Sequence, residues 1–226
     1  MTKTERIKAA LAMEPTDVIP YSLWSHLPEI DMDPVALAQA TYDFYKRLDI
    51  DFIKTMNNGM YPIEDLGCVV DYSEIAKGGV ARLIDTPIKT MEDWDKITVS
   101  DINKGALARE LHSLELLLEK VKNDDVPVIF TVFSPLTTAD KLSGKHLLEH
   151  IKNGGGEKIH RALEAIAKTT RALAEKAIEM GAAGVFYATQ MSDYIAFDEA
   201  LYREYGVPYD LKILSDSKGW FNVLHV

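Results

Sequence analysis

Cysteine is nearly absent from this chain: its 226 residues include one, Cys68. An internal disulfide framework is therefore excluded, and a reducing compartment, the cytoplasm, is the expected setting. The opening Met1-Thr2-Lys3-Thr4-Glu5-Arg6 lacks the apolar core of a signal peptide, and no apolar stretch reaches the length of a membrane span. Basic residues are in deficit, 25 Lys+Arg against 35 Asp+Glu. The formal net charge of -10 disfavours non-specific binding to nucleic acid or to an anionic membrane. No repeat of 20–50 residues and no low-complexity tract is present. The segment from Tyr21 to Pro34 contains no glycine, so it cannot supply a phosphate-binding fingerprint between a first strand and its helix.

What is present is an ordinary globular composition, 47% hydrophobic, sufficient for one substantial core. Thr2 and Glu5 have capping-box spacing, and Ile7, Ala10 and Leu11 continue at helical period until Pro15. Val18 to Leu23 reads as a first strand. Pro34 suits the first turn of a helix with the stripe Leu37, Thr41, Phe44, Tyr45, Leu48. Asp51 to Met56 reads as a second buried strand, running into Asn57-Asn58-Gly59. Val69 to Ile84 alternates around Lys77-Gly78-Gly79 as a hairpin. Leu107, Leu111, Leu114, Leu118 and Val121 mark a long helix, and Pro127 to Phe133 a third core strand. Helices are expected over Lys141–Ile151 and Glu157–Met180, the latter closed by Gly181. Ala183 to Tyr187 forms a fourth strand, Phe197 to Ser215 is helical, and Trp220 to Val226 reads as a fifth, buried strand.

Short apolar strands alternating with helices predict a parallel sheet covered on both faces. The expectation is an α/β fold of the TIM (β/α)8 type, halted after about five strands, because a complete barrel takes about 250 residues. The final apolar run has no turn residue to close it, so residues 1–226 are expected to form an incomplete barrel domain lacking its C-terminal strands. An open doubly wound sheet is the competing architecture.

Glu5-Arg6-Ile7-Lys8-Ala9-Ala10-Leu11, Asp17-Val18-Ile19-Pro20, Trp24, Leu27-Pro28-Glu29, Leu48 to Ile53, Ser134-Pro135-Leu136-Thr137, Gly181 to Val185 and Asn222-Val223-Leu224-His225 together resemble the uroporphyrinogen decarboxylase superfamily. The resemblance spans the whole chain and implies a TIM-type barrel. Decarboxylases of this superfamily hold a tetrapyrrole's carboxylates with an arginine-rich loop after the first strand. The corresponding Trp24 to Asp31 has no arginine and carries Glu29 and Asp31, which would repel carboxylates. The decarboxylase aspartate, tyrosine and serine positions fall near Met56-Asn57-Asn58, Lys141 and Ala188, so none is retained.

A second branch resembles methylcobamide:thiol methyltransferases, which hold zinc in a His-x-Cys motif after a late strand plus a distant cysteine. His225 matches that histidine. By this resemblance the expected activity moves a methyl group from methylcobamide to a zinc-activated thiol, with a small-molecule substrate and a corrinoid protein as partners. The alternatives are uroporphyrinogen decarboxylation and an inactive scaffold, whose open sheet edges would favour self-association into a homo-oligomer.

Each candidate has two readings. His225 is a metal or substrate contact, or a hydrogen-bonded structural histidine. His26 orients substrate, or is a solvated loop residue. Asn57 and Asn58 bind substrate, or supply turn conformations. Tyr187 and Gln190 line a pocket, or Tyr187 packs under the next helix. Glu29 and Asp31 act as base or ligand, or favour a helix N-terminus. Lys141 reads as a surface lysine and Cys68 as a small apolar side chain.

Overall fold

Two helix starts at the N-terminal end follow directly from side-chain chemistry. Thr2 and Glu5 close a reciprocal capping box on α1 (Lys3–Leu11), and Asp33 accepts from the N–H groups of Val35 and Ala36 at the start of α2 (Pro34–Leu48). In the computed structural model, residues 1–77, 81–195, 197–215 and 217–226 are described. The other elements are β1 (Ile53–Lys54), α3 (Tyr61–Glu64), β2 (Val69–Asp71), β3 (Arg82–Asp85), α4 (Gly105–Val121), β4 (Val128–Phe133), α5 (Pro135–Leu142), α6 (Leu147–Lys152), α7 (Gly156–Glu179), β5 (Gly184–Ala188), α8 (Glu199–Tyr205), α9 (Val207–Leu214) and β6 (Val223–His225), with 3-10 turns at Ile75–Lys77 and Met91–Lys96.

The principal sheet has the order β1-β4-β5-β6 and is parallel throughout. It curls as part of a TIM-type barrel. Strand alternation divides its residues into two faces. Val128, Phe130, Val132, Val185 and Tyr187 face the helices and pack with Leu114, Leu117, Leu173, Ala177 and Ile213. Ile129, Phe186 and Ala188 face inward with Ile7 of α1 and Phe221. Both Ile129 and its neighbour Phe130 are fully buried. Each such side chain contributes about 1.5–3 kcal/mol through burial, so both faces of the central strands hold the fold. Residues at the strand ends are left to carry polar chemistry.

The structure corrects several sequence expectations. Val18 to Leu23 is not a strand of the sheet. It lies beside β1 through one backbone bond, Asp51 N to Tyr21 O at 2.8 Å. The remaining contacts use side chains: the Tyr21 N–H donates to the Asp51 carboxylate (2.8 Å) and Ser22 Oγ donates to Phe52 O (2.7 Å). Pro20 has no N–H to offer, and side chains occupy the positions a ladder would use. The expected helix Lys141–Ile151 is two helices, because Gly144 and Lys145 take left-handed φ values of 61° and 71° and Pro135 starts α5 earlier, behind the Ser134 cap. The region from Phe197 to Ser215 divides at Gly206, where Pro208 begins a new first turn. Gly181 does terminate α7, with φ 118°. The hairpin is present as antiparallel β2 and β3; Gly78 and Gly79 of its expected turn lie outside the described residues. The last run is shorter and wetter than expected. Only Phe221 is buried, while Trp220, Leu224 and Val226 are exposed, because β6 is an edge strand.

Asp51 ties the N-terminal segment to the sheet. Its carboxylate is 2% exposed and accepts from Arg6 Nη1 as well as from the Tyr21 N–H, and Arg6 bonds Asp17 in turn. Removing the carboxylate leaves the Tyr21 N–H and the Arg6 guanidinium, both in part-buried bonds to it, without that acceptor. Asp51→Ala is therefore expected to cost on the order of 2 kcal/mol, read as a lower urea midpoint with an unchanged slope. A loss under about 0.5 kcal/mol would show that the anchor contributes nothing beyond an ordinary surface substitution.

Candidate active site at the strand ends

Enzymes built on parallel barrels collect their chemistry at the C-terminal ends of the strands. Here the inward positions near those ends include Lys54 of β1, Phe133 of β4, Phe186 and Ala188 of β5 and His225 of β6, set side by side by the register Ala188 to His225 and Lys54 to Ile129. The Phe186 ring is the centre of this wall. It meets Trp24 edge-on at 5.4 Å, lies 5.2 Å from the His225 ring, and has Lys54 Nζ 4.8 Å above it. Lys54 also lies 5.5 Å from the Trp24 ring. Its ammonium donates to one protein acceptor, Thr55 O at 3.2 Å, and makes no ion pair among the described residues. Burial alone lowers the Lys54 amine to about 8. Sequence reading passed over it, since one lysine in an apolar strand gives no signal of which face it occupies.

A buried polar network stands behind the loop that follows β1. Asn57 and Asn58 are buried there, and neither side chain is free to reach a substrate. Asn57 Oδ1 accepts from Thr55 Oγ1, and its Nδ2 donates to Glu110 Oε2 at 2.9 Å. Asn58 Nδ2 donates to Asp31 Oδ1 (2.9 Å), and its Oδ1 accepts the Met60 N–H (2.8 Å). Arg109 grips Glu64 through both terminal nitrogens at 2.8 Å and also donates to Glu110 Oε1. The two asparagines therefore join the first loop, β1 and α4. Asp31, 5% exposed, sits among these side chains and does not cap α2, where Asp33 takes that role. Burial raises the Asp31 carboxyl against the pull of Asn58. It also pushes Glu110 up to about 7, opposed by Arg109 and Asn57.

The other candidates are scattered. Tyr187 is fully buried on the helix side of β5, donating to Asp210 at 2.5 Å, and Tyr202 donates to the same carboxylate at 2.5 Å. That position fits packing under the next helix and not a pocket wall. Gln190 is exposed; its backbone N–H donates to Thr137 Oγ1 at 3.0 Å. His26 is exposed on the first loop. Lys141 is not a plain surface lysine. Its amine donates to Gly59 O (2.9 Å), lies 4.4 Å from the Phe133 ring, and is brought down to about 8 by burial. Cys68 is half-buried, and burial pushes its thiol up to about 11. A cavity of about 580 Å³ lies away from this wall beside β3 and α6. Within its lining Lys89 pairs with Asp85 and His146 lies against Glu149.

A curled parallel sheet covered by helices on its outer face is the architecture of the TIM-type α/β barrels. The family profile described as uroporphyrinogen decarboxylase (URO-D) matches residues 2–225, and the chain belongs to that family. It is similar to methylcobamide:CoM methyltransferase MtbA of Methanosarcina acetivorans and of Methanosarcina mazei, 21% identical to each over 230 aligned residues. Each comparison covers 96% of this chain and 67% of the relative. Among solved structures, a methyltransferase from Methanosarcina mazei superposes with a TM-score of 0.82 at 20% identity, covering 100% of this chain and 69% of that one. At this identity the superposition establishes the fold. No helix among the described residues is long and apolar enough to cross a membrane.

The Glu110 shift has a stability consequence whose sign follows from linkage. An acid whose folded value is raised to about 7 from the model-peptide 4.5 keeps its proton in the folded chain across that window, while the unfolded chain loses it. Stability from this group is complete below about 4.5 and falls as pH rises toward 7, by at most about 1.4 kcal/mol per pH unit. Thermal unfolding followed from pH 5 to 7.5 should show a declining midpoint, with a shallower decline in Glu110→Gln. An identical pH slope in the variant would remove Glu110 as its source.

Proposed function

We propose that this chain is the substrate-binding barrel portion of a corrinoid-dependent methyltransferase, in which a thiol accepts a methyl group from methylcobamide. The observation that carries this reading is the likeness to methylcobamide:CoM methyltransferases over 96% of the chain, combined with a first loop that lacks arginine. Trp24 to Asp31 contains none, and Arg109, whose partner Glu110 accepts from Asn57 of the loop after β1, is committed to Glu64 and Glu110. A tetrapyrrole bearing several carboxylates needs cationic forks. The rim offers aromatic rings and the single amines of Lys54 and Lys141, each lowered to about 8 by burial, in place of such forks, which suits a smaller substrate and weakens the decarboxylase alternative.

In methyl transfer the thiolate sulfur forms a bond to the methyl carbon as the carbon–cobalt bond breaks, leaving its electron pair on cobalt. What this chain's residues would contribute is position: Phe186 and Trp24 form an aromatic wall, and the Asn57–Glu110 and Asn58–Asp31 bonds fix the loop at its side. Zinc would supply thiol activation, and by the resemblance of Asn222-Val223-Leu224-His225 to the family motif His225 would be one of its ligands. Zinc requires three or four protein ligands. Among the described residues no group of three His, Cys, Asp or Glu side chains is arranged for one, so the residues present do not complete a zinc site. A corrinoid protein as methyl donor, and a cytoplasmic setting, belong to this same reading.

The test is an assay of methylcobalamin with a thiol acceptor, following loss of the methylcobalamin absorbance and formation of the thioether. Transfer above the uncatalysed rate, without conversion of uroporphyrinogen to coproporphyrinogen, is the expected result. The reverse pattern would replace this reading with decarboxylation. The 226-residue chain, dialysed against micromolar chelator, should retain well under one zinc per chain; stoichiometric retention would show that His225 has partners the fold does not reveal.

A further inference from the structure

We propose that Lys54 is a carbonyl-capturing nucleophile, its amine held between Trp24 and Phe186 on the inward face of β1 to form a reversible imine with a small apolar aldehyde. This activity is separate from methyl transfer and does not depend on it.

The geometry carries four points. Lys54 is 6% exposed, yet it is attached to the inward face next to the strand end, where barrel enzymes present reacting groups. Its surroundings are two ring faces, at 4.8 and 5.5 Å, and a single carbonyl oxygen. No carboxylate pairs with it among the described residues, although the chain has 35 acidic side chains and most other lysines have found one. Structural lysines are usually buried with a counter-ion, since an unpaired buried charge is costly. The cover is also movable in principle of construction: Trp24 is 43% exposed and belongs to the segment before α2 that the sheet holds through few backbone bonds.

Desolvation, with no charged neighbour contributing, favours the neutral amine near pH 8, the form with a lone pair to donate. The nitrogen adds to the carbonyl carbon as the carbonyl π pair moves to oxygen. Oxygen takes up a proton and nitrogen gives one up, forming the carbinolamine; departure of water leaves the imine. When that imine is protonated, the same two rings stabilise its positive charge as they do the ammonium. A flat apolar substituent on the aldehyde would be received by the Trp24 face.

The experiment needs neither cobalamin nor metal, so its outcome is independent of the methyl-transfer reading. The whole chain is incubated with propanal and sodium cyanoborohydride at pH 7 for short times, and the alkylated lysines are located by peptide mass spectrometry. Lys54 should be modified on the order of 10-fold faster than the exposed Lys77 and Lys104, with a pH–rate midpoint near 8. Trp24→Ala should admit water and reduce that advantage, whereas Trp24→Phe should keep most of it. Protection of Lys54, or modification at the rate of Lys77 and Lys104, overturns the proposal in the unmodified chain, with no variant required to fold. A rate advantage indifferent to both Trp24 substitutions also overturns the ring-enclosed site.

Discussion

The constraint on which the structure depends is that β4 and β5 are buried on both faces. A strand enclosed by helices on one side and by the barrel interior on the other can place apolar groups at nearly every position, and Ile129, Phe130, Val132, Val185 and Phe186 do so. Polar groups are then confined to the ends of strands and to the loops beyond them. Thr131, at the centre of β4, is the instructive exception. Its hydroxyl and its N–H are both used by Thr55, at 2.8 and 2.9 Å, so its polarity links β1 to β4 and remains satisfied.

The same economy governs the ionisable groups behind the β1 loop. Glu110, Asp31, Glu64 and Arg109 are brought together from α4, the first loop and α3, and the two asparagines span them. Such a network is rigid when every member has a partner, and here each does. It holds the loop after β1 against α4 while the inward wall of Lys54, Phe186 and His225 lies on the other side of the strand. The two sets differ in their partners: each member of the network has a hydrogen-bond partner, and Lys54 is left with aromatic rings and a carbonyl.

Much of the architecture was legible from local pattern. The capping box at Thr2, the stop at Gly181 and the apolar runs of β4 and β5 depend on neighbours within a few residues, and each is found where its spacing placed it. The first strand was not legible in this way. Val18 to Leu23 has a strand's apolar content, but its pairing was decided by Asp51 and Ser22, which occupy the ladder positions with side chains. Asn57 and Asn58 illustrate a different limit. Both the substrate reading and the turn reading treated them as loop residues facing solvent or ligand, whereas their partners Glu110 and Asp31 lie 53 and 27 residues away and turn them inward.

The sequence by itself determined the alternation of strand and helix, the parallel sheet that alternation requires, the shortage of cationic groups at the first loop, and membership of the uroporphyrinogen decarboxylase family. Only the tertiary structure decided which face each strand residue occupies in its surroundings: Tyr187 beneath α9 with Asp210, and Lys54 among rings with no counter-ion among the described residues. Local propensities act over a few residues and are written in order along the chain. Burial and charge pairing are properties of the space between distant segments, so a side chain's protonation and reach exist only after those segments have met.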